Sequence, residues 1–375
     1  MDFDTLILHN GNEIDEQTGA MSIPIQTAST YRQKDIDCKQ DYYYSRSENP
    51  TRNALEKTMA ILEKGKNAFA FSSGMAAVSA ALLALLKTND HIILSRDIYG
   101  GTYRLITEFL TKYGISHSFV DTCNLQEIKN AIRQETKVLF LESPSNPLLR
   151  IVDLVGAAKI AQENNLITMI DNTFMSPYLL NPLDYGINIS IHSATKFLGG
   201  HSDLIAGIVV TDCTQLGEKV YFVQNSLGAV LGPQDCWLLL RGIKTLSARM
   251  TIQERSATVI AQWLQTQPWV KEVYYPGLAS HPGHDILKAQ ARGFGAVVSF
   301  KTTTEQIAQD IMKKAKLWTV AVSLGGVESI LSYPCRMSHA SIPPEQRRKL
   351  GITNDLIRLS VGLENKDDLI KDLTN

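Results

Sequence analysis

The sequence predicts an α/β protein with a large domain on a mainly parallel sheet, a smaller C-terminal α+β domain and an extended N-terminal arm. Three observations carry this. Between residues 69 and 211, six short apolar runs alternate with helix-length segments. The runs are continuous rather than alternating, as strands buried on both faces of a parallel sheet must be. After Gly232-Pro233 the pattern changes to long helices followed by runs of antiparallel character. Before about residue 46 the chain is polar and without sustained period.

The arm, residues 1–46, carries Gly11, Gly19, Pro24 and an aromatic cluster, Tyr42-Tyr43-Tyr44. The large domain, 47–232, takes its strands from FAFS (69–72), HIILS (91–95), KVLFLE (137–142), ITMID (167–171), ISIHS (189–193) and IAGIVVT (205–211). A crossover helix is expected over 151–165, where Ile151, Leu154, Val155, Ala158 and Ala161 share one face and Asn164-Asn165 closes it. The small domain, 233–375, opens on a long helix including 237–262 and supplies strands at 272–277, 295–301 and 356–361.

With 375 residues, 44% of them hydrophobic and 20% charged, the chain has the composition of a globular protein large enough for two domains. Lys and Arg number 37 against 38 Asp and Glu, so no long-range field attracts nucleic acid or anionic lipid. The longest apolar stretch, AAVSAALLALL (76–86), falls short of the roughly 18 to 20 residues that span a bilayer and reads as a buried helix. Met1-Asp-Phe-Asp lacks the basic and apolar regions of a signal peptide, so export is not expected. Five scattered cysteines, Cys38, Cys123, Cys213, Cys236 and Cys335, form no C-x-x-C pair and fit a reducing cytoplasm. His192, His201, His281, His284 and His339 lack a carboxylate or thiol set at metal-ligand spacing, so no metal site is expected. Small-molecule chemistry is the class that remains.

That chemistry concentrates at three strand ends. Lys196 follows the run ISIHS and precedes Gly199-Gly200. Ligands of parallel sheets bind beyond the carboxyl ends of the strands, where this lysine stands. By position alone a surface lysine is the better reading, and two neighbouring elements change it. Asp171 ends the run ITMID one crossover earlier, and a carboxylate at a buried strand end needs a partner, such as a protonated pyridine ring. A helix-capping aspartate would read the same way. Ser72-Ser73-Gly74 joins a strand to a small-residue helix whose N-terminus offers unpaired N–H groups to an anion. A plain serine cap is the other reading of that element. With the hydroxyls of Ser193 and Thr195 it forms a phosphate site beside the lysine. Phosphate cradle, pyridinium acid and Schiff-base lysine, in this order, describe a pyridoxal 5'-phosphate enzyme of the aminotransferase-like fold, fold type I.

The sequence resembles the trans-sulfuration, or Cys/Met metabolism, pyridoxal phosphate enzymes nearly end to end. The motifs include YSRSENPTR (44–52), FSSGMAA (71–77), DIYGGTYR (97–104), ESPSNPLL (142–149), IDNTF (170–174), SATKFLGGHSD (193–203), SLGGVES (323–329), MSHASIP (337–343) and IRLSVGLE (357–364). The resemblance implies that Lys196 carries the cofactor and acts on the substrate, that Asp171 protonates the pyridine nitrogen, and that Ser73, Gly74, Met75, Ser193 and Thr195 bind the phosphate. It implies that Tyr99 stacks on the ring with an acid/base role. Tyr44 and Arg46 match residues that cross a subunit interface to the neighbouring active site, which implies an obligate dimer and a homotetramer built as a dimer of dimers.

Arg358 matches the arginine that grips the substrate α-carboxylate, Asn146 and Ser323 match supporting positions, and Arg104 and Glu328 match polar positions of the γ-acting members. The chain departs from those members at Tyr43, where an acid is usual, and at Glu48, where glycine is usual. Gly101 stands where methionine γ-lyases share a cysteine, so methionine is not the expected substrate. The expected activity is cystathionine cleavage, by γ-elimination with β-elimination alongside it. The alternatives are γ-replacement on an O-acylhomoserine and a non-catalytic cofactor-binding or regulatory protein.

Overall fold

The computed structural model describes residues 1–374 apart from 12, 13, 15, 17, 38, 39 and 341, so Cys38 lies outside the described residues. The arm begins with a helix, Phe3–His9, that the sequence reading leaves irregular. Ile7 buries on the body of the protein and the Phe3 ring packs against Tyr178 at 5.4 Å. Further on, Trp237 Nε1 donates to the Ile23 carbonyl (3.2 Å), and Thr30 bridges Tyr44. The guanidinium of Arg52 then donates to three successive carbonyls, of Ser45 (2.7 Å), Arg46 (3.2 Å) and Ser47 (2.8 Å). One buried side chain in the helix Pro50–Leu62 thereby fixes the turn at the arm's end.

Seven strands form the large sheet: β1 (Asn67–Phe71), β2 (His91–Ser95), β3 (Ser116–Val120), β4 (Thr136–Glu142), β5 (Ile167–Asp171), β6 (Ile189–Ser193) and β7 (Gly207–Thr211). Their order is β1-β7-β6-β5-β4-β2-β3, with β7 antiparallel to both neighbours and the other pairs parallel. The sequence reading misses β3. It is an edge strand with no fully buried residue, so S-H-S-F-V never becomes a continuous apolar run. The crossover helix expected over 151–165 spans Leu154–Glu163, capped by Asp153, whose carboxylate accepts from Gly156 N (3.0 Å).

A second sheet contains β8 (Val270–Tyr274), β9 (Val297–Thr302), β10 (Thr319–Val320), β11 (Ile330–Ser332) and β12 (Leu356–Ser360), in the order β10-β11-β12-β9-β8. Three of the five match expected runs. The other two, β10 and β11, have two and three residues, too few for a period to show. The helix expected over 237–262 divides into Pro233–Ile243 and Leu246–Gln265. The Gly242 carbonyl at the break accepts from Arg249 Nη2 (2.9 Å) and Thr245 Oγ1 (3.1 Å). Gly242 is needed there for another reason: a Cβ on it would lie 2.3 Å from the Gly199 carbonyl oxygen. No helix among the described residues is long and apolar enough to cross a membrane.

Candidate active site

The carboxyl ends of β4, β5 and β6 open into a cavity of about 660 Å³ whose far wall comes from the segment around Ser323 and from β12. A cavity of about 760 Å³ elsewhere, lined by Cys123, Arg150 and His281 among others, holds none of the predicted site residues.

At one end, the helix Gly74–Leu85 points its N-terminus at the cavity. Ser73 caps it, its hydroxyl accepting from Ala76 N (3.0 Å), and the first N–H groups of a helix have no intrahelical partners. Gly74 lies so close to the end of β6 that a Cβ would stand 2.9 Å from Ser193 Cβ. Glycine is what lets this N-terminus approach the strand end. Met75 lines the same end. The Thr195 hydroxyl is committed to Ala206, donating to its carbonyl (3.3 Å) and accepting from its N–H (3.1 Å).

In the middle stand Asp171, Lys196 and Tyr99. Asp171 accepts from Thr173 N (3.0 Å), and burial pushes its carboxyl up despite the Thr173 bonds and the nearby cations. A protonated ring nitrogen would restore the charged form. Lys196 Nζ donates to Ser323 Oγ (2.6 Å); burial first, and then the Arg358 charge, push its amine down to about 8. Such an amine can be neutral near neutral pH, as a nucleophile or base must be.

At the other end Arg358, in β12, is buried against Asn146 Oδ1 (Nη1, 2.9 Å), the Ser323 carbonyl (Nη2, 2.6 Å) and Ser332 Oγ (Nη2, 3.1 Å). Burial pushes it down to about 10, and its Nε is buried without a partner. An unpaired donor on a buried guanidinium suits a carboxylate guest. Ser323 links the two cations, its hydroxyl to Lys196 and its carbonyl to Arg358, and adopts φ +85° to do so. That conformation costs a serine about 1 to 3 kcal/mol and marks a site that the surrounding fold over-determines. Arg104 lines the cavity from an exposed position.

Twelve of the fifteen predicted site residues therefore line one cavity. Tyr44, Arg46 and Glu328 do not. Arg46 lies over the Tyr44 ring (5.6 Å) and donates to the Asn225 carbonyl (2.9 Å) on the helix Thr214–Leu227. Glu328 is exposed, with Ser202 Oγ at 3.4 Å. Sequence reasoning passed over one residue that lines the site and one that supports it from outside. Glu142 ends β4 in register with Asp171, and its signal, a carboxylate closing a buried strand, is the one that singled out Asp171. Arg249 donates to the Phe197 carbonyl (2.8 Å) and so anchors the loop leaving Lys196; nothing in the local sequence marks it.

The residues present fit pyridoxal phosphate: a helix N-terminus for the phosphate, a buried carboxylate at a strand end for the ring nitrogen, an amine of lowered basicity and a guanidinium with a free donor. A family profile described as "Cys/Met metabolism PLP-dependent enzyme" matches residues 4–375. Cystathionine gamma-lyase of Bacillus subtilis is 50% identical over 369 residues, covering 98% of this chain and 97% of that protein. Cystathionine beta-lyase MetC of the same organism is also 50% identical over 369 residues, covering 98% of this chain and 94% of its own length. The crystal structure of cystathionine gamma-lyase from Lactobacillus plantarum complexed with L-serine superposes with a TM-score of 0.97 at 46% identity, covering 100% of this chain and 98% of the other. Fold, site and similarity agree, and the chain belongs to the Cys/Met metabolism family of pyridoxal phosphate-dependent enzymes.

Proposed function

We propose that this lyase cleaves L-cystathionine, chiefly by γ-elimination to cysteine, 2-oxobutanoate and ammonia, with β-elimination to homocysteine and pyruvate alongside it. The observation that carries the reading is a pair of guanidinium groups in one cavity, Arg358 buried with an unused donor and Arg104 exposed. Cystathionine has an amino-acid group at each end, and two arginines lining one cavity suit its two carboxylates. The relatives include γ- and β-lyases at the same identity, which supports both cleavages.

The cofactor supplies an electron sink for charge at the substrate α-carbon. The chain's own residues do the rest. Arg358 orients the α-carboxylate through its fork, with Asn146 and Ser323 holding the guanidinium in place. Lys196 would hold the cofactor and, once free and neutral, takes the proton at Cα; a second proton must leave Cβ before the Cγ–S bond breaks, and the departing thiolate of cysteine takes up a proton. Asp171 keeps the ring nitrogen protonated. Ser73, Gly74, Met75 and Ser193 would hold the phosphate, with Thr195 lining that end while its hydroxyl stays on Ala206, and Tyr99 would lie against the ring with an acid/base role. Glu328 stands outside the cavity, and a role in binding the distal end of the substrate requires its side chain to swing inward.

Tyr44 and Arg46, placed beside the exposed Phe222 and Leu227 helix and away from their own cavity, serve a neighbouring subunit in a cytoplasmic homotetramer. Purified protein incubated with cystathionine should release 2-oxobutanoate in excess over pyruvate. Formation of cystathionine from O-acylhomoserine and cysteine, without cleavage, would overturn the lyase assignment of substrate. Light scattering should give a tetramer, and a monomer that turns over substrate would remove the role of Tyr44 and Arg46.

A further inference from the structure

We infer that Glu142 is a positioning residue of this site: its one carboxylate ties together the two loops that carry Tyr99 and Asn146. Tyr99 N donates to Glu142 Oε2 (2.7 Å), and Asn146 N donates to Glu142 Oε1 (3.0 Å). Glu142 is 5% exposed and Asn146 4% exposed, so the Asn146 N–H has no water to replace a lost acceptor, and the acceptor that the Tyr99 N–H uses is itself buried. Each of the two backbone positions governs a side chain at the site. Tyr99 lines the cavity beside Met75 and Gly101, and Asn146 Oδ1 holds Arg358 Nη1. A second tie crosses the same gap in the other direction, since Ser145 Oγ donates to Asp97 Oδ2. The loop before Tyr99 and the loop before Pro147 are thus latched by two buried carboxylates, of which Glu142 alone touches the backbone of both.

The residue type follows from this task. Only a carboxylate offers two acceptor oxygens. Glutamine would set an NH2 donor against one of the two N–H groups, and aspartate is one methylene too short to reach both. Glu142 also stands in register beside Asp171. Burial and that neighbouring acid push its carboxyl up, and the two N–H bonds oppose them. An acid stands here although charge is unfavourable, which a purely space-filling position would not require.

The test compares Glu142→Gln with Glu56→Gln. Glu56 is a partly buried carboxylate on a backbone N–H, that of Ala70 (2.7 Å), and it does not line the cavity. Hydrogen exchange of the cofactor-free protein should speed up in the peptides holding Tyr99 and Asn146 together in Glu142→Gln, by about tenfold or more, with β7 unchanged. The KM for cystathionine should rise by about tenfold or more through the loosened Arg358, and the cofactor's circular dichroism should weaken as Tyr99 shifts. Glu56→Gln should leave all three readouts unchanged. Glu142→Asp provides the same comparison if the glutamine variant does not fold. Unchanged exchange at either loop, or equal KM changes in the Glu142 and Glu56 variants, overturns the latch. The kinetic arm rests on the proposed substrate; the exchange arm does not, so a wild-type protein inert toward cystathionine would sink the function and leave the latch to be decided on its own.

Discussion

The lowered basicity of Lys196 can be read directly from the pH dependence of cofactor uptake. The attacking species is the neutral amine. With the amine pushed down to about 8, roughly a tenth is neutral at about pH 7, half at about pH 8 and nine-tenths at about pH 9. The initial rate should therefore climb about tenfold between the first and last of these and then level off. A lysine at the ordinary value near 10.5 would instead gain about tenfold per unit to beyond pH 10. Stopped-flow absorbance on cofactor-free protein follows the lysine linkage as it forms. Above pH 7 the cofactor's phosphate is already doubly charged, its second ionisation lying near about 6, so it adds no bend of its own. A companion variant, Arg358→Met, removes the second-largest cause of the shift and should move the bend to higher pH. Rates still rising tenfold per unit above pH 9 in the wild-type protein would refute the account of Lys196.

Three further outcomes follow from the geometry. Arg358→Lys keeps the charge but loses the planar fork, and losing one charge-assisted bond of about 1.5 to 3 kcal/mol should lower kcat/KM by roughly 10- to 100-fold, mostly through KM; a change below twofold would remove Arg358 from carboxylate binding. Gly74→Ala places a Cβ 2.9 Å from Ser193 Cβ, so cofactor affinity measured by titration should fall and the melting temperature should drop in line with an overpacking cost of about 1 to 3 kcal/mol; unimpaired affinity would show that the helix N-terminus is not the phosphate end. Burial pushes Glu56 up to about 7 from 4.5, so the folded form holds its proton more tightly and Glu56 withdraws up to about 3 kcal/mol of stability as pH rises through this window. Urea titrations of Glu56→Gln between about pH 4.5 and 7.5 should show a flatter profile than wild type, and identical slopes would contradict this.

What the sequence made legible follows from how each residue is held. Asp171 and Lys196 could be placed because continuous apolar runs fix where parallel strands end, and ligands collect beyond those ends. Glu142 satisfied the same rule and was missed because its partners are the backbone N–H groups of Tyr99 and Asn146, which no residue type announces. Arg358 could be reached only through family resemblance. It lies in a central strand between β11 and β9, opposite Ser332 and Ser299, and alternation in R-L-S-V does not tell an inward arginine from an outward one. Strand β3 and the helix Phe3–His9 escaped because their stability comes from one partner surface rather than from a period. Ser323 is the furthest from legible: its positive φ and its place between two cations arise from contacts across 127 and 35 residues of chain.

Ser323 also joins substrate binding to the chemistry. Arg358 is both the group shaped for the substrate carboxylate and a cause of the low basicity of Lys196, and the serine spaces them through its carbonyl and hydroxyl. A carboxylate paired with Arg358 offsets the field that the lysine feels. The contact that binds substrate therefore strengthens Lys196 as a base at the stage when it must take the Cα proton, while the unliganded site keeps the amine neutral enough to carry the cofactor. Saturating propionate, which has a carboxylate and no amine, should accordingly shift the bend in cofactor uptake to higher pH in the wild-type protein and leave Arg358→Met unmoved. A shift of equal size in both proteins would show that the carboxylate acts elsewhere, and no shift in either would separate the two roles of Arg358.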